Sequence, residues 1–151
     1  MKSLPVFSVL LILLVAGPGL AAPADDVAAV VQAVGEAFVQ GNVDVHNANF
    51  AENAVFTSAQ AGLRFEGKDA IRTWFATLFQ DFPTRRGFGR HAITRLYAND
   101  TVAVSNAYSE LAFIDRAGQV SRIPSRITTV LVKIEGRWKI VEQHVSRIPA
   151  Q

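Results

Sequence analysis

The hydrophobic period of this chain changes once, from helical spacing in the first half to strict alternation in the second. Val27, Val30, Val31, Val34 and Phe38 recur at i, i+3, i+4, i+7 and i+11, which is one apolar stripe of a helix. Asp25-Asp26 is placed to cap that helix and Gly41-Asn42 to end it. A short helical segment over 43–50 leads into Ala54-Val55-Phe56-Thr57, whose β-branched and aromatic content reads as a strand. Gly67-Lys68-Asp69-Ala70 then opens a third helix with Ile71, Trp74, Phe75, Leu78 and Phe82 along one face, and Pro83 forbids its continuation.

From Arg90 onward the period is two. Strands are predicted at about 89–98, 101–115, 119–134 and 137–148, separated by the turn signals Asn99-Asp100, Ala117-Gly118 and Glu135-Gly136. Two to three helices followed by consecutive hairpins predict an α+β protein, a cone-shaped, strongly curved antiparallel sheet with the N-terminal helices packed on its concave face. Strands this long must curve to stay covered, and the mouth of such a cone is where small ligands bind. Pro124, inside its strand, predicts an edge or a bulge.

The first residues follow a different logic. Met1-Lys2-Ser3 precedes an apolar run from Leu4 to Ala16, then Gly17-Pro18-Gly19 and several small residues, the pattern of a secretory signal peptide over 1–24. Cleavage after Ala21 and cleavage after Ala24 both fit. The run is shorter than the roughly 20 residues a spanning helix needs, so the expectation is a secreted or periplasmic protein with no membrane contact after cleavage. Residues 25–151 make one domain. The chain has no cysteine, so neither a disulfide nor a lipid anchor can hold it and the core must suffice. The formal net charge of +2 falls to about +1 once Lys2 is removed. The arginines are scattered, with Arg85-Arg86 the only adjacent pair, and read as solvated surface, so no nucleic-acid partner is expected.

The segment Gly67-Lys68-Asp69-Ala70-Ile71-Arg72-Thr73-Trp74-Phe75 and the ending Gly136-Arg137-Trp138-Lys139-Ile140-Val141, with His144-Val145-Ser146, resemble the nuclear transport factor 2-like superfamily, in particular its SnoaL-like branch. The closing stretch also looks like the association domain of calcium/calmodulin-dependent kinase, an assembly module without catalysis. The resemblance covers 25–151 and implies a cone-shaped fold, a ligand-binding pocket and a homodimer. It does not by itself imply an enzyme. Ketosteroid isomerases of the superfamily use an Asp base with Tyr and protonated Asp donors, and the alignment puts Ser58 at the base and Val34 at the Tyr. Serine is too weakly basic for that task and valine has no donor, so this mechanism is not expected.

The remaining chemistry is thin. His144, Glu142 and Tyr108 are the candidate acid–base groups, and the competing reading of His144 is a strand histidine bonded to a neighbour or lying in a dimer face. A two-residue turn at Glu135-Gly136 sets Ile127 opposite His144. A three-residue turn with Gly136 left-handed sets Arg126 there, and is favoured because it brings Arg126, Glu142 and His144 onto one face. Ser125, Ile127, Thr129, Val141, Gln143 and Val145 then face the cavity. Candidate binding residues are Phe56, Trp74, Leu78, Tyr108, Thr129, Gln143 and Arg126, with the aromatic and aliphatic members equally suited to the core.

Three histidines and no cysteine, with Asp44 and His46 on different faces of a short helix, give no metal site, and no phosphate loop or nucleophile elbow implies a cofactor. The leading expectation is an exported binder of a small apolar or carbonyl-bearing molecule. Its rivals are an acid–base isomerase, cyclase, hydratase or oxidoreductase, and an assembly module.

Overall fold

A computed structural model describes residues 23–149, so nearly all of the signal-peptide segment lies outside the described residues. Helix α1 spans Pro23–Gln40, α2 Val43–Ala48 and α3 Lys68–Asp81; the strands are β1 Phe50–Thr57, β2 Arg64–Glu66, β3 Thr84–Tyr97, β4 Val102–Ile114, β5 Val120–Ile134 and β6 Arg137–Arg147. Pro23 takes the first position of α1, where its missing N–H costs nothing. Asp25 and Asp26 therefore sit inside the first turn, where they complement the helix dipole, rather than at the cap. Asn42 caps α2, its side chain accepting from Val45 N. Gly67, at φ +84, turns the chain from β2 into α3 while its N–H donates to Ala54 O at 2.8 Å.

The six strands form one sheet in the order β2-β1-β6-β5-β4-β3. Four long strands pair as consecutive antiparallel hairpins, but β1 lies parallel to β6, so the sheet is mixed rather than wholly antiparallel. That pairing escapes local patterning because β2, α3 and the three long strands β3, β4 and β5 separate the two strands in sequence. Pro124 marks neither an edge nor a bulge. It pairs with Glu110 in an unbroken β4–β5 ladder and sits where β6 runs out, its carbonyl accepting from Ile148 N at 2.8 Å. The bulges lie elsewhere, on β3 between Arg90 and Ile93 and on β6 at Val141.

The helices pack on one face of the sheet. Val27 and Val34 from α1 and Ile71, Phe75 and Leu78 from α3 join Phe50, Ala103, Leu131 and Ile140 in one buried cluster. Arg85 ties this layer to the sheet. Far from lying in solvent as sequence reading expects, it is 4% exposed at the start of β3. Its Nε donates to Phe38 O at 2.9 Å, Nη2 to Val39 O at 3.4 Å, and Nη1 to Phe79 O and Phe82 O. These are carbonyls from the last turns of α1 and α3, the negative ends of both helix dipoles. The guanidinium also lies 4.3 Å from the Phe79 ring centroid. Burial lowers its pKa, yet a guanidinium stays charged, so the charge is held by oriented dipoles rather than by a carboxylate.

Two consequences are measurable. Arg85→Leu strands several buried carbonyls and is expected to cost about 3 kcal/mol in urea unfolding, while Arg86→Leu, at an exposed position, changes stability by less than about 0.5 kcal/mol. Gly41→Ala should also destabilise, because its φ of +73 and the Arg85 Nη2 atom both oppose a Cβ there.

Candidate functional site: a cavity between helices and sheet

A cavity of about 480 Å³ lies between the helices and the inner face of the sheet. Its helical wall is built by Val31, Val34 and Phe38 of α1 and Trp74, Phe75 and Leu78 of α3. The sheet wall follows from register. Phe56, Gln143, Thr129, Ser105 and Thr94 are successive cross-strand partners, so one row carrying four polar side chains crosses five strands and faces the cavity. Within it Gln143 Nε2 donates to Thr129 Oγ1 at 3.1 Å, and Thr94 Oγ1 to Ser105 Oγ at 3.3 Å. The row on one side, Ala107, Ile127 and Val145, is apolar and also lines the cavity. The row on the other, Ala103, Leu131 and Ile140, is sealed into the core.

Three further polar groups border the space without protein partners. His46 of α2 is 2% exposed, with its ring centroid 4.0 Å from that of Phe75 and 5.3 Å from that of Phe50, and its Nδ1 makes no hydrogen bond. Burial pushes its pKa down from 6.5 to about 4, so the ring is neutral at physiological pH, with one nitrogen a donor and the other an acceptor. Trp74 stacks on Phe65 at 4.8 Å, leaving its indole N–H unpaired, and Gln60 Oε1 is likewise buried and unpaired. Ser58 lines the cavity too, but its Oγ is engaged by the backbone N–H groups of Gln60 and Ala61, which fix the loop after β1. No Asp, Glu, Lys or Arg occurs among the described residues of the lining.

The most exposed lining residues come from α1 and β3: Ala28, Gln32, Gly35, Gly89 and Ala92. The mouth therefore opens between α1 and the edge strand. A Cβ at Gly35 or Gly89 would meet nothing within 4 Å, so packing does not require glycine at either position.

Of the residues singled out from sequence, Phe56, Trp74, Leu78, Thr129 and Gln143 line the cavity. Tyr108, Arg126, Glu142 and His144 do not; they project from the opposite, convex face and are exposed. The favoured three-residue turn is also not the one formed. Glu135 and Gly136, at φ 49 and 77, make a two-residue turn that sets Ile134 opposite Arg137. The bulge at Val141 then adds one residue to β6, so His144 meets Thr128 instead of Ile127 or Arg126. Because the turn and the bulge together displace the pairing by two residues from the favoured register, Thr129 and Gln143 still face inward. Sequence reading passed over His46 as a cavity group. Its signal was faint: a histidine on a short helix followed by Phe50, with nothing local to show that Phe75 would close over it.

The profile of the SnoaL-like domain matches residues 27–151, and the chain belongs to that family. No curated protein matches it. Solved structures similar to it include a proposed aromatic ring hydroxylase from Novosphingobium aromaticivorans, 19% identical, TM-score 0.77, covering 85% of this chain and 93% of that one. A proposed calcium/calmodulin-dependent protein kinase II association domain from Xanthomonas campestris is 23% identical at TM-score 0.75, covering 85% and 89%. A proposed dehydratase of the nuclear transport factor 2-like family from Streptomyces avermitilis is 12% identical at TM-score 0.74, covering 85% and 97%. At these identities the likeness is one of fold.

The buried imidazole gives a pH signature. Its folded pKa of about 4 lies below the unfolded value near 6.5, so between the two the unfolded chain binds the extra proton and stability is lost as the pH is lowered. Urea midpoints should show a loss that begins near pH 6.5 and reaches about 3 kcal/mol at pH 4. His46→Phe should remove this loss.

Proposed function

We propose that the protein is an exported, homodimeric binding protein that holds a small, uncharged, largely apolar molecule in this cavity. The observation that carries the reading is the absence of any Asp, Glu, Lys or Arg among the described lining residues, around a volume of about 480 Å³. Small-molecule sites commonly enclose about 300–1,000 Å³. A charged ligand would lose its hydration here without gaining a counter-charge, whereas an apolar one gains in proportion to the area it hides. The polar row on the sheet gives such a molecule hydroxyl and amide groups to orient against.

Export rests on the N-terminal apolar segment, and the homodimer on the convex face of the sheet. There Ile93, Tyr97 and Tyr108 are 53%, 51% and 52% exposed, beside Arg126 and Glu142, a mixture suited to a protein interface. The second reading is an acid–base enzyme, kept in view by the proposed dehydratase of similar fold. Against it, acid–base work at one carbon calls for two groups with separated pKa values, and the lining holds one titratable side chain, His46.

Native mass spectrometry of the protein purified from an export-competent host, without organic solvent, tests the proposal. The expected result is a processed chain that runs as a dimer and carries a discrete adduct lost on activation. An apo species across repeated preparations, with no stabilisation by apolar probes, counts against ligand binding. A monomer counts against the dimer alone.

A further inference from the structure

We infer that His46 is the polar anchor of the cavity and that the ligand group it takes is an uncharged hydroxyl. This rests on the cavity being a binding site. The imidazole is enclosed by Phe50, Phe75 and Phe79, with centroids 5.3, 4.0 and 6.2 Å away. A fourth phenyl ring would suit such a cage better. Instead the chain keeps a nitrogen that is buried, lacks a protein partner and belongs to a residue on the cavity wall. An unmade buried hydrogen bond is a standing cost that a ligand can relieve.

The chemistry of the wall narrows what that ligand group is. No charged side chain among the described lining residues, from α1, α2, α3 or any strand, faces the ring, so neither a carboxylate nor an ammonium finds a counter-ion. A hydroxyl both donates and accepts, and so completes a neutral imidazole in either tautomer; a carbonyl or ether oxygen serves only one.

The experiment compares β-naphthol, naphthalene and β-naphthoate at pH 7 by calorimetry, on the wild type and on His46→Phe. In the wild type β-naphthol should bind about tenfold more tightly than either of the others. In His46→Phe that advantage should vanish, β-naphthol and naphthalene then binding about equally. Long-range nitrogen–proton spectra of the wild type give an independent readout, in which the His46 ring nitrogens shift with β-naphthol and not with naphthalene. Tightest binding of β-naphthoate overturns the hydroxyl assignment. A β-naphthol advantage that persists in His46→Phe, or unmoved ring nitrogens, overturns His46 as anchor while the binding reading stands. If none of the three binds, the binding reading fails and this inference with it.

Discussion

Arg85 fixes the relation between the two layers on which everything else depends. Two helices that end near one another bring together the negative ends of their dipoles and a set of carbonyls with no intrahelical partners. A single guanidinium at the start of β3 satisfies four of them, two from the end of α1 and two from the end of α3, and lies on the ring of Phe79. Its planar fork suits several acceptors in different directions, which a lysine could not match. Gly41 passes so close to the guanidinium that a side chain there would displace it. The helical wall of the cavity is thereby held at a set distance from the sheet, and Phe38, packed on Phe79 and Phe113, closes the space beneath it.

With that distance set, the cavity's character follows from sheet register. Inward-facing residues come in cross-strand rows, and these rows alternate in polarity: Ala103, Leu131 and Ile140 are apolar, Thr94, Ser105, Thr129 and Gln143 polar, Ala107, Ile127 and Val145 apolar again. Hydroxyls and an amide can bond to one another along a row, so they cost little when buried and remain able to meet a ligand. Charges cannot be accommodated on those terms, and the described lining has none. His46, like Trp74 and Gln60, is an exception to this self-sufficiency. Burial keeps it neutral, and no residue completes it.

Legibility in the sequence tracked the range of the interaction. Helical stripes such as Val27 to Phe38, the alternation after Arg90 and the turn at Glu135-Gly136 are local, and those elements appear where expected, although β1 begins at Phe50 rather than Ala54 and β3 at Thr84 rather than near residue 89. Alternation separates Thr129 and Gln143 from Arg126, Glu142 and His144 whatever their partners, but the bulge at Val141 breaks the period of β6, so Ile140 is buried in the core and Val141, expected to face the cavity, does not line it. The short strand β2 and the parallel β1–β6 pairing were not legible, because three residues carry no period and the pairing joins distant segments. Arg85 reads as surface because arginine usually is, and only two helix ends converging on it make burial affordable.

The sequence by itself determined the α+β class, the SnoaL-like family and the order of the main elements, since propensity, period and motif are properties of neighbouring residues. Tertiary structure alone decided that α1 and α3 end on one arginine, that the bulge at Val141 sets His144 against Thr128, and that His46 closes into an aromatic cage at the cavity wall. These contacts join residues far apart in the chain. Their energies depend on desolvation and on the direction of dipoles, which exist only once the layers have packed.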